Sequence, residues 1–129
     1  MVLDTSVQIA IMFREPEAER LKLAIADAAA RLIGAPTMVE AAIVLRRLLP
    51  EDGQEALDAF ITGYNVTLIP FTARHIGAAR TAIERFGKGR HPASLNFGNC
   101  MSYAVARVEN EPLLTANDFA HTDVMAAAH

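Results

Sequence analysis

Four short apolar runs, set apart by longer segments of helical character, constrain this chain more than any other feature. They are Met1-Val2-Leu3, Arg31 to Gly34, Val66 to Ile69, and Leu113 to Thr115. Runs this short, bounded by turn and helix signals, read as short strands. The segments between them have helical spacing and helix punctuation. Ser6 to Phe13 reads as a short helix with Ser6 as its N-cap, and Pro16 suits the first turn of a second helix running to Ala30. A third helix is expected from about Thr37, carrying Val39, Ala42, Ile43, Leu45 and Leu48, until Pro50 and Gly53 break it. Further helices are expected over 54–61, from about Thr72 to Phe86, and from about Gly98 to Val108. Strands separated by helices need crossover connections. The expected fold is therefore α/β: a single three-layer domain over 1–129, with a short, mostly parallel sheet flanked by helices.

The charge balance narrows the function classes. With 12 basic and 15 acidic residues the net charge is −3 and the isoelectric point is about 5.8. A protein that held nucleic acid mainly by neutralising phosphates would be basic. Any such contact here must come from a local basic patch or from metal ions in an acidic pocket. The absence of Trp and the presence of 2 Tyr argue against broad base-stacking platforms. A single cysteine, Cys100, allows no internal disulfide and suits a reducing compartment. No apolar run reaches the roughly 18 residues that span a bilayer, and no signal peptide is visible, so a cytoplasmic protein with no membrane partner is expected.

The acids lie where such a sheet concentrates chemistry. Asp4 closes the first apolar run, at the carboxyl end of a strand, where open α/β sheets bind ligands. Asp118 and Asp123 follow the last run. If the two strands are neighbours, these carboxylates converge into a site for a hard cation, and hard cations serve phosphate chemistry. Asp4 also reads as a helix cap, and Thr5 or Ser6 as a group orienting it. Glu40 stands three residues after Thr37, a capping-box pattern that accounts for it without chemistry, yet it is an acid in an apolar helical stretch. Asn99 follows Gly98 and reads as an N-cap. His121 reads as a surface residue. The glycine-flanked basic loop Lys88-Gly89-Arg90-His91 reads either as a solvated turn or as a clamp on a phosphate backbone.

Taken in order, Asp4-Thr5-Ser6, Glu40, the stretch at 87–92, Leu95-Asn96-Phe97-Gly98-Asn99-Cys100, Ser102-Tyr103-Ala104, and Pro112-Leu113-Leu114 through Asp118-Phe119 to Asp123 resemble the PIN-domain ribonucleases. The likeness is greatest to the VapC toxins of type II toxin–antitoxin pairs, and it covers essentially the whole chain. It implies a PIN-like parallel sheet and a cluster of acids holding Mg²⁺ or Mn²⁺. It also implies endonucleolytic cleavage of RNA, often structured RNA such as tRNA or rRNA, a homodimer, and inhibition by a cognate VapB-type antitoxin. Carried over, Asp4, Glu40, Asp118 and Asp123 match the family's acids, with Asp4, Asp118 and position 99 nearest the metal. Ser6, Lys88 and Arg90 are the expected substrate contacts. Position 99 departs from the pattern: the family usually has Asp there, and this chain has Asn. An amide oxygen can still meet a hard cation, but it brings no charge and cannot act as a base, so weaker metal binding and reduced cleavage are expected.

The same departure favours a second class, a nuclease-inactive PIN module that binds RNA or an antitoxin without cleaving. A third reading, a phosphotransferase with Asp4 as nucleophile, expects a second Asp two residues on, where this chain has Ser6. The apolar residues Ile9, Ile11, Met12 and Phe13 read either as core or as the wall of a groove for an antitoxin helix.

Overall fold

In the structure, a computed structural model describing residues 1–87, 89 and 95–116, strands and helices alternate as the apolar runs require. The order is β1 (Val2–Leu3), α1 (Thr5–Met12), α2 (Ala18–Asp27), β2 (Leu32–Gly34), α3 (Ala35–Leu48), α4 (Gly53–Gly63), β3 (Thr67–Ile69), α5 (Ala73–Phe86), α6 (Phe97–Glu109) and β4 (Leu113–Leu114). The strands form one parallel sheet in the order β3-β2-β1-β4.

Burial on both faces explains why the central strand β1 and its neighbour β4 are unbroken apolar runs, while β3, at the sheet edge, leaves Thr67 and Leu68 exposed. The register pairs Val2 with Leu113 and Leu3 with Leu114, and successive side chains point to opposite faces. Val2 and Leu113 pack with Ala79, Ala82 and Phe86 of α5 and Tyr103 and Val105 of α6. Leu3 and Leu114 pack on the other side with Val7 and Ala10 of α1, Leu21 and Ile25 of α2, and Phe60 of α4. Three layers result. Leu3 and Leu114 are fully buried, and each such side chain contributes about 2 kcal/mol. A smaller seam, Ala41, Leu45 and Leu57, joins α3 to α4.

Four helix starts differ from the sequence expectation. α2 begins at Ala18 with Glu17 at its N-cap, so Pro16 stands before the helix and not in its first turn. Asp4, not Ser6, caps α1: its side chain accepts from the Ser6 backbone N–H, and the helix begins at Thr5. α3 begins at Ala35, before Thr37, because Pro36 fits the first turn of a helix. Thr37 is thereby drawn inside the helix, and the Thr37–Glu40 capping box does not form. α6 begins at Phe97, capped by Asn96, so Asn99 is its third residue and not its cap.

The sheet order places the site. The chain steps from β1 outward through β2 to β3, then returns to the far side of β1 as β4. The order reverses between β1 and β4, and the crevice beyond their carboxyl ends is where such sheets take ligands. α6 lies close over this end. A Cβ on Gly34 would stand 2.6 Å from Val105 Cγ2, and one on Gly98 would overlap the Glu40 carboxylate. Glycine at both positions lets α6 approach β2 and α3. Lys88, Arg90, Asp118, His121 and Asp123 lie outside the described residues.

Candidate metal centre

Asp4 leaves β1 directly into the crevice and is 2% exposed. Hydroxyl groups hold its carboxylate. Ser102 Oγ donates to Oδ1 at 2.6 Å; Ser6 donates twice to Oδ2, from Oγ at 2.7 Å and from the backbone N–H at 3.2 Å. These bonds fix the sense of their neighbours. The single hydroxyl proton of Ser102 goes to Asp4, so in the Thr37–Ser102 contact of 3.2 Å the donor is Thr37. Ser6 accepts in turn from the Ala116 N–H at 2.9 Å and lies 3.0 Å from Thr115 Oγ1. α1, α3, α6 and the end of β4 thus all bear on one carboxylate. A carboxylate has about four acceptor positions. Among the described residues, Ser6 fills those of Oδ2 and Ser102 fills one of Oδ1.

Glu40 comes in from α3, and Thr5 Oγ1 donates to its Oε1 at 2.6 Å. The other oxygen, Oε2, lies against Gly98. Asn99 comes in from the first turn of α6. Asp4, Glu40 and Asn99 line one cavity of about 390 Å³, together with Thr5, Ser6, Ile9, Val44, Asn96 and Ala116. Glu15 and Glu17 reach the same cavity from the turn between α1 and α2. The Glu15 carboxyl is pushed above its usual range by desolvation first, then by the hydrogen bond and the negative charge of Glu17.

The donor set fits a hard divalent cation. Asp4 and Glu40 offer carboxylate oxygens, as Mg²⁺ and Mn²⁺ prefer, and Mg²⁺ needs only one or two direct carboxylates. No ion pair among the described residues involves Asp4 or Glu40, so their charge is not offset by a side chain there. Nor do the described residues bring three or more His, Cys, Asp or Glu side chains together at metal-binding distance. Asp4 and Glu40 are the hydroxyl-held acids of the cavity, with Glu15 and Glu17 also lining it.

Asn99 is held in a specific sense. Its Oδ1 accepts from the Asn96 backbone N–H at 3.2 Å, and its own N–H donates to Asn96 Oδ1 at 2.9 Å. This is a reciprocal capping box, with Asn where Glu or Gln is usual.

The structure thus brings together Asp4, Ser6, Glu40 and Asn99. It adds Ser102, Thr37 and Thr115, which read in the sequence as part of the resemblance, a capping box and a strand end: their role at Asp4 depends on the approach of α6 to β1. Of the suggested groove residues, Ile11 and Met12 pack against the core beside β1, and Ile9 and Met12 against the α3–α4 seam. Phe13 is 42% exposed. No helix among the described residues is long and apolar enough to cross a membrane.

The PIN domain family profile matches residues 1–124. The chain is 44% identical to Ribonuclease VapC of Mycolicibacterium smegmatis, over all of both chains. It is 39% identical to Ribonuclease VapC30 of Mycobacterium tuberculosis, over 99% of this chain and 98% of that one. Among solved structures it resembles the sarcin–ricin-loop-cleaving toxin VapC20 of Mycobacterium tuberculosis, with TM-score 0.73, 18% identity, and 96% and 95% of the two chains covered. It also resembles VapBC2 of Rickettsia felis bound to a fragment of its promoter DNA, with TM-score 0.73, 20% identity, and 97% and 95% covered. These two structures establish likeness of fold, and the full-length relatives establish kinship: the chain belongs to the PIN-domain family and, within it, to the VapC proteins.

Proposed function

We propose that this chain is the toxin of a type II toxin–antitoxin pair, an endoribonuclease that cleaves RNA with Mg²⁺ or Mn²⁺ at the Asp4 pocket. The observation that carries the proposal is the state of Asp4 and Glu40. They are two carboxylates, oriented by hydroxyls and offset by no cation among the described residues, at the switch point of the sheet. Kinship with ribonucleases over the whole chain supports RNA as the substrate.

A bound divalent ion would activate water and offset the charge that develops on the phosphate. The protein's own part is to place ligands and exclude alternatives. Ser102 and Ser6 fix the Asp4 carboxylate at the wall of the cavity, and Thr5 holds Glu40 by one oxygen and leaves the other. Asp118 and Asp123 complete the acidic set from the C-terminal segment, and Lys88 and Arg90 contact the RNA backbone. The enzyme works with a VapB-type antitoxin and as a homodimer. The antitoxin is supported by the solved complexes of its relatives from Rickettsia felis and Klebsiella pneumoniae.

One observation favours a second reading. Asn99 withholds the charge an Asp would add, which fits a nuclease-inactive module that binds RNA or antitoxin alone. Cleavage of RNA with and without Mg²⁺ or Mn²⁺ separates the two readings. The nuclease reading expects metal-dependent cleavage by the parent, more by Asn99→Asp, and none by Asp4→Ala in either background. Metal-dependent RNA binding with no cleavage by parent or Asn99→Asp would support the binding module.

A further inference from the structure

We infer that Asn99 serves the pocket as a hydrogen-bond donor to a non-bridging oxygen of the RNA phosphate, and not as a ligand to the cation. The inference rests on the nuclease reading of this same pocket. Its basis is the capping box. The backbone N–H of Asn96 needs an acceptor, which fixes the Asn99 amide with Oδ1 toward Asn96, at 3.2 Å. The other end of the amide is Nδ2, which donates and cannot accept. No partner for Nδ2 exists among the described residues, and no buried side-chain nitrogen or oxygen is left without one. Nδ2 is therefore open to solvent on a residue that lines the cavity with Asp4 and Glu40.

An Asp at this position would keep the cap with one oxygen and turn the second, charged, into the cavity. Asn keeps the same cap and turns a donor there. The charge count follows. Asp4 and Glu40 already bring two negative charges to the cavity, Glu15 and Glu17 reach it as well, and a phosphodiester arriving there adds one more. A further carboxylate at position 99 would add to the repulsion of that phosphate, whereas an amide N–H donates to it directly. The substitution converts a position that asks for a cation into one that asks for an anion, with the backbone unchanged.

The test uses the full chain, Asn99→Asp, Asn99→Ala and Asp4→Ala. Free Mn²⁺ is read by electron paramagnetic resonance, and binding of a labelled single-stranded RNA in EDTA by fluorescence anisotropy. Asn99→Asp retains the cap acceptor, so its melting temperature should match the parent's. It should bind Mn²⁺ about tenfold more tightly, as added ligand charge does, and RNA less tightly. Asn99→Ala should leave Mn²⁺ affinity unchanged and weaken RNA binding about fivefold, the loss of one hydrogen bond to a charged group. The inference is overturned if Asn99→Ala loses Mn²⁺ affinity, which would make the amide oxygen a ligand, or if it binds RNA as the parent does. A parent that binds no Mn²⁺ would defeat the metal reading instead, and the RNA comparison would still decide the role of Asn99.

Discussion

Helices α5 and α6 begin with the same local device, put to different ends. Each opens on a reciprocal capping box whose third residue is unusual: His75 answers Thr72 in α5, and Asn99 answers Asn96 in α6. In both, one polar atom of the side chain closes the box, His75 Nδ1 accepting from the Thr72 N–H at 2.9 Å. The contrast lies in the second polar atom. His75 is 3% exposed, stacks on Phe71 with ring centroids 5.2 Å apart, and points Nε2 at Glu109 Oε2 at 3.0 Å. Because Nδ1 accepts from the backbone, the proton sits on Nε2 and Glu109 receives it. The start of α5 is thereby tied to the end of α6, and no polar capacity is left over. Asn99 faces a cavity, and its Nδ2 remains open. A closed box stabilises the fold, while an open one keeps a polar group available at the site.

The same contrast separates the carboxylates. Glu109 accepts from an imidazole that closes the fold, whereas Asp4 accepts, among the described residues, from two hydroxyls and a backbone N–H at the edge of the cavity. Neutral donors orient a carboxylate without offsetting its charge, and that is the condition for binding a cation.

The comparison breaks most sharply at Asp4. Asp4→Ala should abolish Mn²⁺ binding and lower RNA cleavage by about 100-fold or more. Retained cleavage would place the chemistry elsewhere. His75→Ala should instead cost about 2–3 kcal/mol of stability, through loss of a buried hydrogen-bonded side chain. Urea unfolding should register that loss, while Mn²⁺ affinity per folded molecule stays constant. A change in affinity would mean the two boxes are coupled.

Ser102→Ala lies between these cases. It removes the donor to Asp4 Oδ1, and loss of such an orienting partner costs roughly tenfold in metal affinity. Mn²⁺ titration of the folded variant distinguishes this from a stability effect, which would shift melting alone. The smallest effect belongs to Glu15. Its raised carboxyl range, set by desolvation and then by Glu17, means that it takes up a proton earlier than an ordinary Glu as pH falls. Each proton removes one negative charge from the cavity mouth, so Mn²⁺ affinity should decline as the solution becomes mildly acidic. Glu15→Gln should flatten that decline and shift affinity at neutral pH by no more than about twofold, as befits an exposed charge.

The strand–helix alternation was legible because short apolar runs bounded by turn and helix signals have few other uses, and Asp4 was legible from its place at the end of one. Helix starts were less so. Thr37 and Glu40 have the spacing of a capping box, but Pro36 lets α3 begin two residues earlier, and that spacing lost its meaning. Asn99 was taken for a cap because Asn caps well; Asn96 caps equally well and stands where the helix enters.

The sequence alone determined a parallel α/β domain, an acid at the tip of its first strand, and an Asn at the start of its last helix. These follow from local preference and periodicity, which short stretches of chain carry by themselves. Tertiary structure decided which hydroxyls hold Asp4 and that Glu40 leans on Thr5. It decided also that Asn99 lines the same cavity as Asp4 and Glu40. Those facts depend on α6 settling onto Gly34 and drawing Gly98 against Glu40, contacts between residues far apart in sequence whose geometry exists only once the layers have packed.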